Sequence, residues 1–370
     1  MSIIPTTFKD FIPPYTVVGG NERRASTGLS AVILNRGRYS RYGFFEDLEK
    51  AGFDYVLSME SSSTHYDLED LSNAFPFVRF ILLKENVSPG EEINLAAVEL
   101  SSPLFFVLRS DLRILRGGGA ERMAERLLAK TADSRIEAGK GNYKRLCTVP
   151  LIQDGRSETM PTQIIPALVP EKKNLAGNLG NIIRTIPQVP QKEGLPSLYP
   201  FDGIGIYDRE RFIRLGGFDP SIKNFFWQLM DFGFRSSLWG EEIAATQFIK
   251  LSYDGDIPEE DSTAGADSLE FYLKNIAPVF HGDYAHIPFR RFPGYFKRRR
   301  RIFARDLLAG DIFAAWKEFN AVRDWVESNR YRFSSDARTI AERFVMDNSE
   351  ETQDPVQDSI RNGENDKEEQ

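Results

Sequence analysis

At 370 residues the chain is long enough for one large α/β domain with additions, or for two domains, and its single cysteine, Cys147, excludes an intrachain disulfide and fits a reducing compartment. No run approaches the roughly 20 apolar residues needed to span a bilayer, and no basic stretch followed by an apolar one opens the sequence, so the expected location is cytoplasmic. The net charge of −7 is local, because residues 347–370 hold nine acidic side chains against Arg361 and Lys367, and that apolar-poor tail reads as disordered.

Residues 1–27, with Pro5, Pro13, Pro14 and the Gly19-Gly20 pair, read as an extended arm. Strand, helix and strand follow: 29–34 is a continuous apolar run, 42–51 has helical periodicity, and 54–59 and 78–83 are further buried strands. Strands alternating with short helices imply a mainly parallel sheet covered on both faces. Ligands of such sheets sit outside the carboxyl ends of the strands, which directs attention to Asn35 and Arg36 and to Glu60 with Ser62, Ser63 and Thr64. Ser and Thr also cap helices anywhere, so that loop alone decides nothing.

A helix is expected over 94–99, then a strand that starts at Leu104 and ends in Arg109-Ser110-Asp111. A carboxylate at the end of a buried strand suits a divalent cation that bridges diphosphate oxygens, since Mg²⁺ and Mn²⁺ take oxygen ligands and need only one or two from protein. Arg109 leaves two readings open: its guanidinium pairs with a phosphate directly, or the site binds no metal–nucleotide at all. Residues 120–130 form an amphipathic helix, and 139–200 are long and rich in Gly and Pro, with short strands at 146–152 and 162–169. Segments of that kind inside a compact enzyme are lids, binding loops or insertions. Residues 201–207 form a strand with Asp202 at its mouth, either an acid of the site or a turn former.

Residues 208–240 carry the densest constellation. A short amphipathic helix over 209–215 reaches Gly216-Gly217, then Phe218, Asp219 and Pro220, and a second helical run carries Asp231, Arg235 and Gly240. Paired glycines permit positive φ and close backbone approach. Asp231 and Arg235 share a helix face, which alone amounts to an ion pair worth about a few tenths of a kcal/mol. Together with Arg209, this order resembles the acceptor-side motif of family-two GT-A glycosyltransferases.

The resemblance spans residues 29–239 and implies inverting transfer of a sugar from a nucleoside-diphosphate sugar to a glycan or lipid-linked hydroxyl acceptor in glycan or cell-envelope polysaccharide synthesis, with Mn²⁺ or Mg²⁺ as cofactor. Residue by residue, it makes Glu60 the acid at the nucleotide and Asp111 the survivor of an Asp-X-Asp metal motif, with Arg109 in the first Asp's place. Asn35 and Arg36 join them on the donor side, and Asp202, Gly216, Gly217 and Arg235 stand on the acceptor side. Gln228 and Leu229 replace the Glu-Asp pair that supplies the family's base. Asp231 is therefore the expected base, oriented by Arg235.

Beyond Gly240 a helix or strand runs to Leu251, an acidic loop covers 253–265, and 267–276 is helical. His281 and His286 flank Asp283 at a spacing that fits neither a zinc site nor a triad; the resemblance implies that His281 closes on the metal or diphosphate. Residues 290–305 hold eight basic side chains and no acid, interleaved with Phe292, Tyr295, Phe296 and Phe303. They suit an anionic membrane surface or a lipid-linked phosphate, or form a solvated face paired with the acidic tail; no nucleic-acid motif accompanies them. Along 311–329, Ile312, Ala315, Trp316, Phe319, Val322 and Val326 make one stripe, expected to pack on the core.

The expected organisation is an arm (1–27), a GT-A-like α/β domain with a mostly parallel central sheet flanked by helices (28–250), a C-terminal helical extension (251–346) and the acidic tail (347–370). Arg109, Gln228 and Leu229 favour a competing reading, a scaffold of the same shape that has lost catalysis and binds a glycan, a nucleotide or a partner enzyme. A nucleotidyltransferase is disfavoured, because no glycine-rich, lysine-containing phosphate loop follows the first strand.

Overall fold

The computed structural model describes residues 12–20, 25–36, 41–61, 68–133, 144–170, 181–281, 284–304, 310–329, 340–342 and 344. The turn expected over Ser62, Ser63 and Thr64, Asp283, Arg305 and the acidic tail lie outside them. The first half alternates strands and helices as its apolar pattern requires: β1 (Tyr15–Val18), β2 (Leu29–Leu34), α1 (Tyr42–Ala51), β3 (Val56–Glu60), α2 (Leu68–Ala74) and β4 (Val78–Leu83). Next, α3 (Pro89–Glu99) opens at Pro89 rather than Asn94, because Ser88 caps it, Pro89 fills its first turn and Glu91 completes a capping box. Then come the fully buried β5 (Leu104–Arg109), an unexpected β6 (Leu112–Arg116) and α4 (Gly119–Asp133).

The second half holds β7 (Lys144–Gln153), the hairpin of β8 (Gln163–Pro170) and β9 (Asn181–Gln188), β10 (Gly205–Asp208), α5 (Arg209–Leu215), α6 (Phe225–Leu238) and the long β11 (Glu241–Tyr253). A boundary at residue 250 therefore falls inside a strand. The extension consists of α7 (Ala266–Phe271) running into a π-helical turn (Tyr272–Ile276), the small hairpin of β12 (Val279–His281) and β13 (Tyr284–His286), α8 (Phe292–Ile302) and α9 (Ile312–Asn329).

Nine strands form one sheet in the order β1-β4-β3-β2-β5-β10-β7-β11-β6. The strands β4, β3, β2 and β5 are mutually parallel, β10 enters antiparallel between β5 and β7, and β7 and β11 are again parallel. With β1 and β6 antiparallel at the edges, six of the nine strands point one way. The expected α/β architecture, a mostly parallel central sheet flanked by helices, is what the chain adopts.

The strand β2 shows why it is apolar throughout. Val32 and Leu34 join the layer packed by α3 and α6, while Leu29, Ala31 and Ile33 join the layer under α1, α2 and α4. The N-terminal arm is corrected in part: Tyr15–Val18 are sheet, and at Gly20 (φ 52°) a Cβ would lie 2.5 Å from the Arg79 nitrogen, so only glycine fits. The α9 stripe is corrected too: Ala315, Phe319 and Val326 are buried with Leu269, Leu273 and Tyr295, but Ile312 and Trp316 are exposed. No helix among the described residues is long and apolar enough to cross a membrane.

Candidate active site at the carboxyl ends of the strands

Three strand ends converge by topology. β2 and β5 are parallel neighbours, so Asn35-Arg36 and Arg109-Ser110-Asp111 leave the sheet side by side, and the Arg36 amide donates to Ser110 Oγ at 3.0 Å. Because β10 is antiparallel to β5, with Gly205 opposite Val107, the residues just before β10 reach the same end. They form a 3-10 turn in which Asp202 takes a left-handed φ of 53°. The expected strand over 201–207 is thus shortened, and the turn aims Asp202 between the two arginines.

The Asp202 carboxylate accepts from Arg109 Nη2 at 2.8 Å, from Arg36 Nη2, and from the Tyr253 hydroxyl at the end of β11 at 2.9 Å. Arg109 also donates to the Asp202 carbonyl at 3.2 Å and stacks its guanidinium 5.3 Å from the Phe225 ring centre, while its Nε has no partner among the described residues. Arg36 donates to Asp111 at 3.2 Å and keeps part of its side chain exposed.

These groups border a cavity of about 350 Å³ that Asn35, Arg36, Arg109 and Asp202 share with Glu92 of α3, Leu229 of α6 and Glu260 of the loop after β11. That volume lies within the range of small-molecule sites. Pro89 and Phe225, at the amino ends of α3 and α6, also line it, and helix amino termini favour anions. Burial pushes the Glu92 carboxyl up to about 8, opposed by nearby Arg109. Burial raises Glu260 to about 7, while the Tyr199 hydroxyl, donating to its Oε2 at 2.8 Å, pulls it down. One carboxyl holds its proton at neutral pH and the other is poised to exchange it.

The remaining expected site residues sit elsewhere. Glu60 has no exposed surface, and its carboxylate accepts from Arg41, from Ser58 Oγ at 2.6 Å and from Asn35 Nδ2 at 2.8 Å. It therefore acts on the cavity indirectly, by holding Asn35 and through its charge, which helps to raise the Glu92 carboxyl. Asp231 is likewise fully buried, accepting from Arg235 Nε at 2.7 Å and Asn275 Nδ2 at 2.9 Å. Arg235 continues to the carbonyls of Leu215 and Gly217 at 3.1 and 2.7 Å. The structure does not place Asp231 where a base meets substrate.

Gly216 and Gly217 are part of the same framework rather than cavity lining. Gly216 ends α5 at φ 94°, and a Cβ on Gly217 would lie 2.2 Å from Asn94 Oδ1. Asn94 clamps Phe218 through both its amide and its carbonyl, each at 2.8 Å. Burial opposes ionisation of Asp219, but Lys274 Nζ at 2.7 Å holds its carboxyl well below the usual range. Gln228 is buried, donating to Ser88 Oγ at 2.8 Å and the Asp219 carbonyl at 3.1 Å, whereas its neighbour Leu229 faces the cavity.

His281 lies on the β12–β13 hairpin, stacked 5.0 Å from the rings of Tyr284 and His286, and does not line the cavity. The Asp111 Oδ2 already faces Arg36, and no group of three or more potential ligands gathers among the described residues. The Asp111 Oδ1 is buried without a partner among the described residues, so one carboxylate oxygen stays open to a divalent cation, while His281 is not among the groups that line the cavity. Glu92, Tyr253 and Glu260 carried no motif in the sequence. Glu92 is visible there only as one of two adjacent acids ahead of the helix expected over 94–99, and Glu260 as one of several acids in a loop.

No protein-family model and no curated protein matches the sequence. Among solved structures, the chain is similar to GalNAc-T7 with UDP, GalNAc and Mn²⁺, at 12% identity over 80% of this chain and 55% of that one, with a TM-score of 0.44. It is also similar to S. aureus TarS 1–349 with UDP, at 12% identity over 81% and 90% of the two chains and a TM-score of 0.40. For TarS 1–349 with UDP-GlcNAc the identity is 13%, the coverage the same and the TM-score 0.38. This chain thus spans about half of the GalNAc-T7 chain, and likenesses of this size carry nothing about reaction or site.

Proposed function

We propose that the chain is a GT-A-like, family-two glycosyltransferase that moves a sugar from a nucleoside-diphosphate sugar to a glycan or lipid-linked hydroxyl in the cytoplasm, with inversion. The observation that carries this reading is the pair Arg36 and Arg109, brought by two parallel strand ends into a cavity that the amino ends of α3 and α6 also face. Guanidinium groups match phosphate geometry bidentately, and helix amino termini add to the pull on a diphosphate. Asp202, which also accepts from the Tyr253 hydroxyl, holds both arginines in place.

In the proposed step Glu260 takes the proton of the acceptor hydroxyl. The hydroxyl oxygen then forms a bond to the anomeric carbon as the bond from that carbon to the diphosphate oxygen breaks. The electron pair leaves with the nucleoside diphosphate, whose charge Arg36 and Arg109 offset. Glu260 lines the same cavity as Leu229, the position whose family counterpart is acidic, and a carboxyl near 7 is matched to neutral-pH proton transfer. No step is routed through a metal.

Calorimetric titration with UDP-, GDP- and dTDP-sugars, each with Mn²⁺ and with EDTA, tests the first requirement. Binding of one donor that survives EDTA is expected; binding only with Mn²⁺ would return Asp111 to the metal role. Silence towards every donor would sink the transferase reading. Donor binding without turnover would favour the non-catalytic scaffold, for which the apolar Leu229 in the cavity wall already speaks.

A further inference from the structure

The apolar surface of the C-terminal extension is not all used inside it. Phe313 is 83% exposed, Ile312 49% and Trp316 42%, all in the first turns of α9, and Phe289 in the turn before α8 is 52% exposed. They form one patch. Phe289 stacks on Trp316 with ring centres 5.5 Å apart, and on α9 Trp316 follows Ile312 by four positions and Phe313 by three, so the three share a flank. Phe292 and Phe319 support it from beneath, with Phe292 4.8 Å from Trp316 and 5.4 Å from Phe319.

Basic side chains outnumber acidic ones around the patch. Arg290 and Arg291 are exposed beside Phe289, and Lys317 is exposed beside Trp316. Residues 289–302 contain seven basic side chains and no acid, and of these Lys297, Arg300 and Arg301 point outward on α8. Nearby acids are partly spent: Glu318 accepts from Arg299 at 2.9 Å and Tyr295 at 2.8 Å, and Glu327 pairs with Arg323 at 2.8 Å. Asp311 caps the start of α9, its Oδ1 accepting from the Phe313 and Ala314 amides at 2.9 and 3.2 Å, so one acid sits within the patch.

We infer that the α8–α9 face docks on an anionic bilayer surface, with Ile312, Phe313 and Trp316 inserted at headgroup depth and Lys297, Arg300 and Arg301 of α8 on lipid phosphates. Exposed aromatic tips beside an excess of cations fit that surface, since apolar insertion and charge attraction add. The inference stands apart from the transferase reading, because vesicle binding needs no donor and no turnover.

The test is co-sedimentation of the full chain with vesicles of phosphatidylcholine alone or mixed with phosphatidylglycerol. Association with the anionic vesicles only, weakening as salt rises, is expected. Phe313→Ser should lower the partition about ten-fold, and Arg300→Ala with Arg301→Ala about five-fold per charge. Phe313 lies almost wholly outside the packing, so an unchanged melting temperature should accompany its loss of binding. Equal binding to neutral and anionic vesicles, no binding to either, or an unaffected Phe313→Ser variant would overturn the inference. So would a self-associated species that buries Phe313 without vesicles.

Discussion

Two aspartate–arginine clusters among the described residues, Asp231 with Arg235 and Asp202 with Arg36 and Arg109, have similar chemistry and opposite use. Asp231 and Arg235 lie one turn apart on α6, and every strong group of the pair is consumed by the fold: Asn275 on one side, the Leu215 and Gly217 carbonyls on the other. Asp202 draws Arg36 and Arg109 from strand ends 166 and 93 residues away, and the three share a cavity. A pair made within one helix is completed locally and can be buried outright. A pair made across strand ends lies where the sheet stops, and a ligand can enter there.

The sharpest way to break this contrast is Asp231→Ala. It would leave Arg235 buried without its partner, and a loss of about 3–5 kcal/mol in denaturant stability is expected. If the variant were as stable as the wild type but inactive, Asp231 would regain the role of base. Glu260→Gln should do the reverse, lowering turnover about a hundred-fold or more at little cost in stability. In the wild type the rate should rise as pH passes about 7 and Glu260 loses its proton; the variant should lack that limb in a pH–rate profile.

A smaller effect is expected at Arg109→Ala. Removing one charge-assisted contact should weaken calorimetric donor affinity about ten- to a hundred-fold. An unchanged affinity would move the diphosphate away from Asp202. The mildest probe is Glu92→Gln. The folded carboxyl sits near 8, above its ordinary 4.5, so its contribution is fully present below about 4.5 and is lost as pH climbs through 8. The variant, with no proton to lose, should overtake the wild type in melting temperature on the alkaline side. Parallel melting curves from pH 5 to 9 would remove Glu92 from the buried edge of the cavity.

How much of this was legible beforehand divides along the same line. The strands β2, β3, β4 and β5 are apolar on both faces and were readable from that alone, as was α1 with its helical period. The motif around Gly216-Gly217 was readable as unusual, but the sequence does not distinguish a residue that faces a ligand from one that buttresses a turn. Asp231 and Glu60 show the difference, since their partners Asn275 and Arg41 are set by tertiary contacts. The edge strands β1 and β6 and the left-handed Asp202 turn needed neighbours to declare them. Glu260 was one acid among several in a loop, and only the cavity singles it out.

The π-helical turn Tyr272–Ile276 has a consequence for how the chain reaches its native state. Within five residues it delivers Lys274 to Asp219 and Asn275 to Asp231, which lie after α5 and on α6. During synthesis the segment around residues 216–235 stays incomplete until residue 275 has emerged. A chain cut at 250 would carry two buried carboxylates without those partners, and the sheet and the early part of the extension are expected to melt as one cooperative unit.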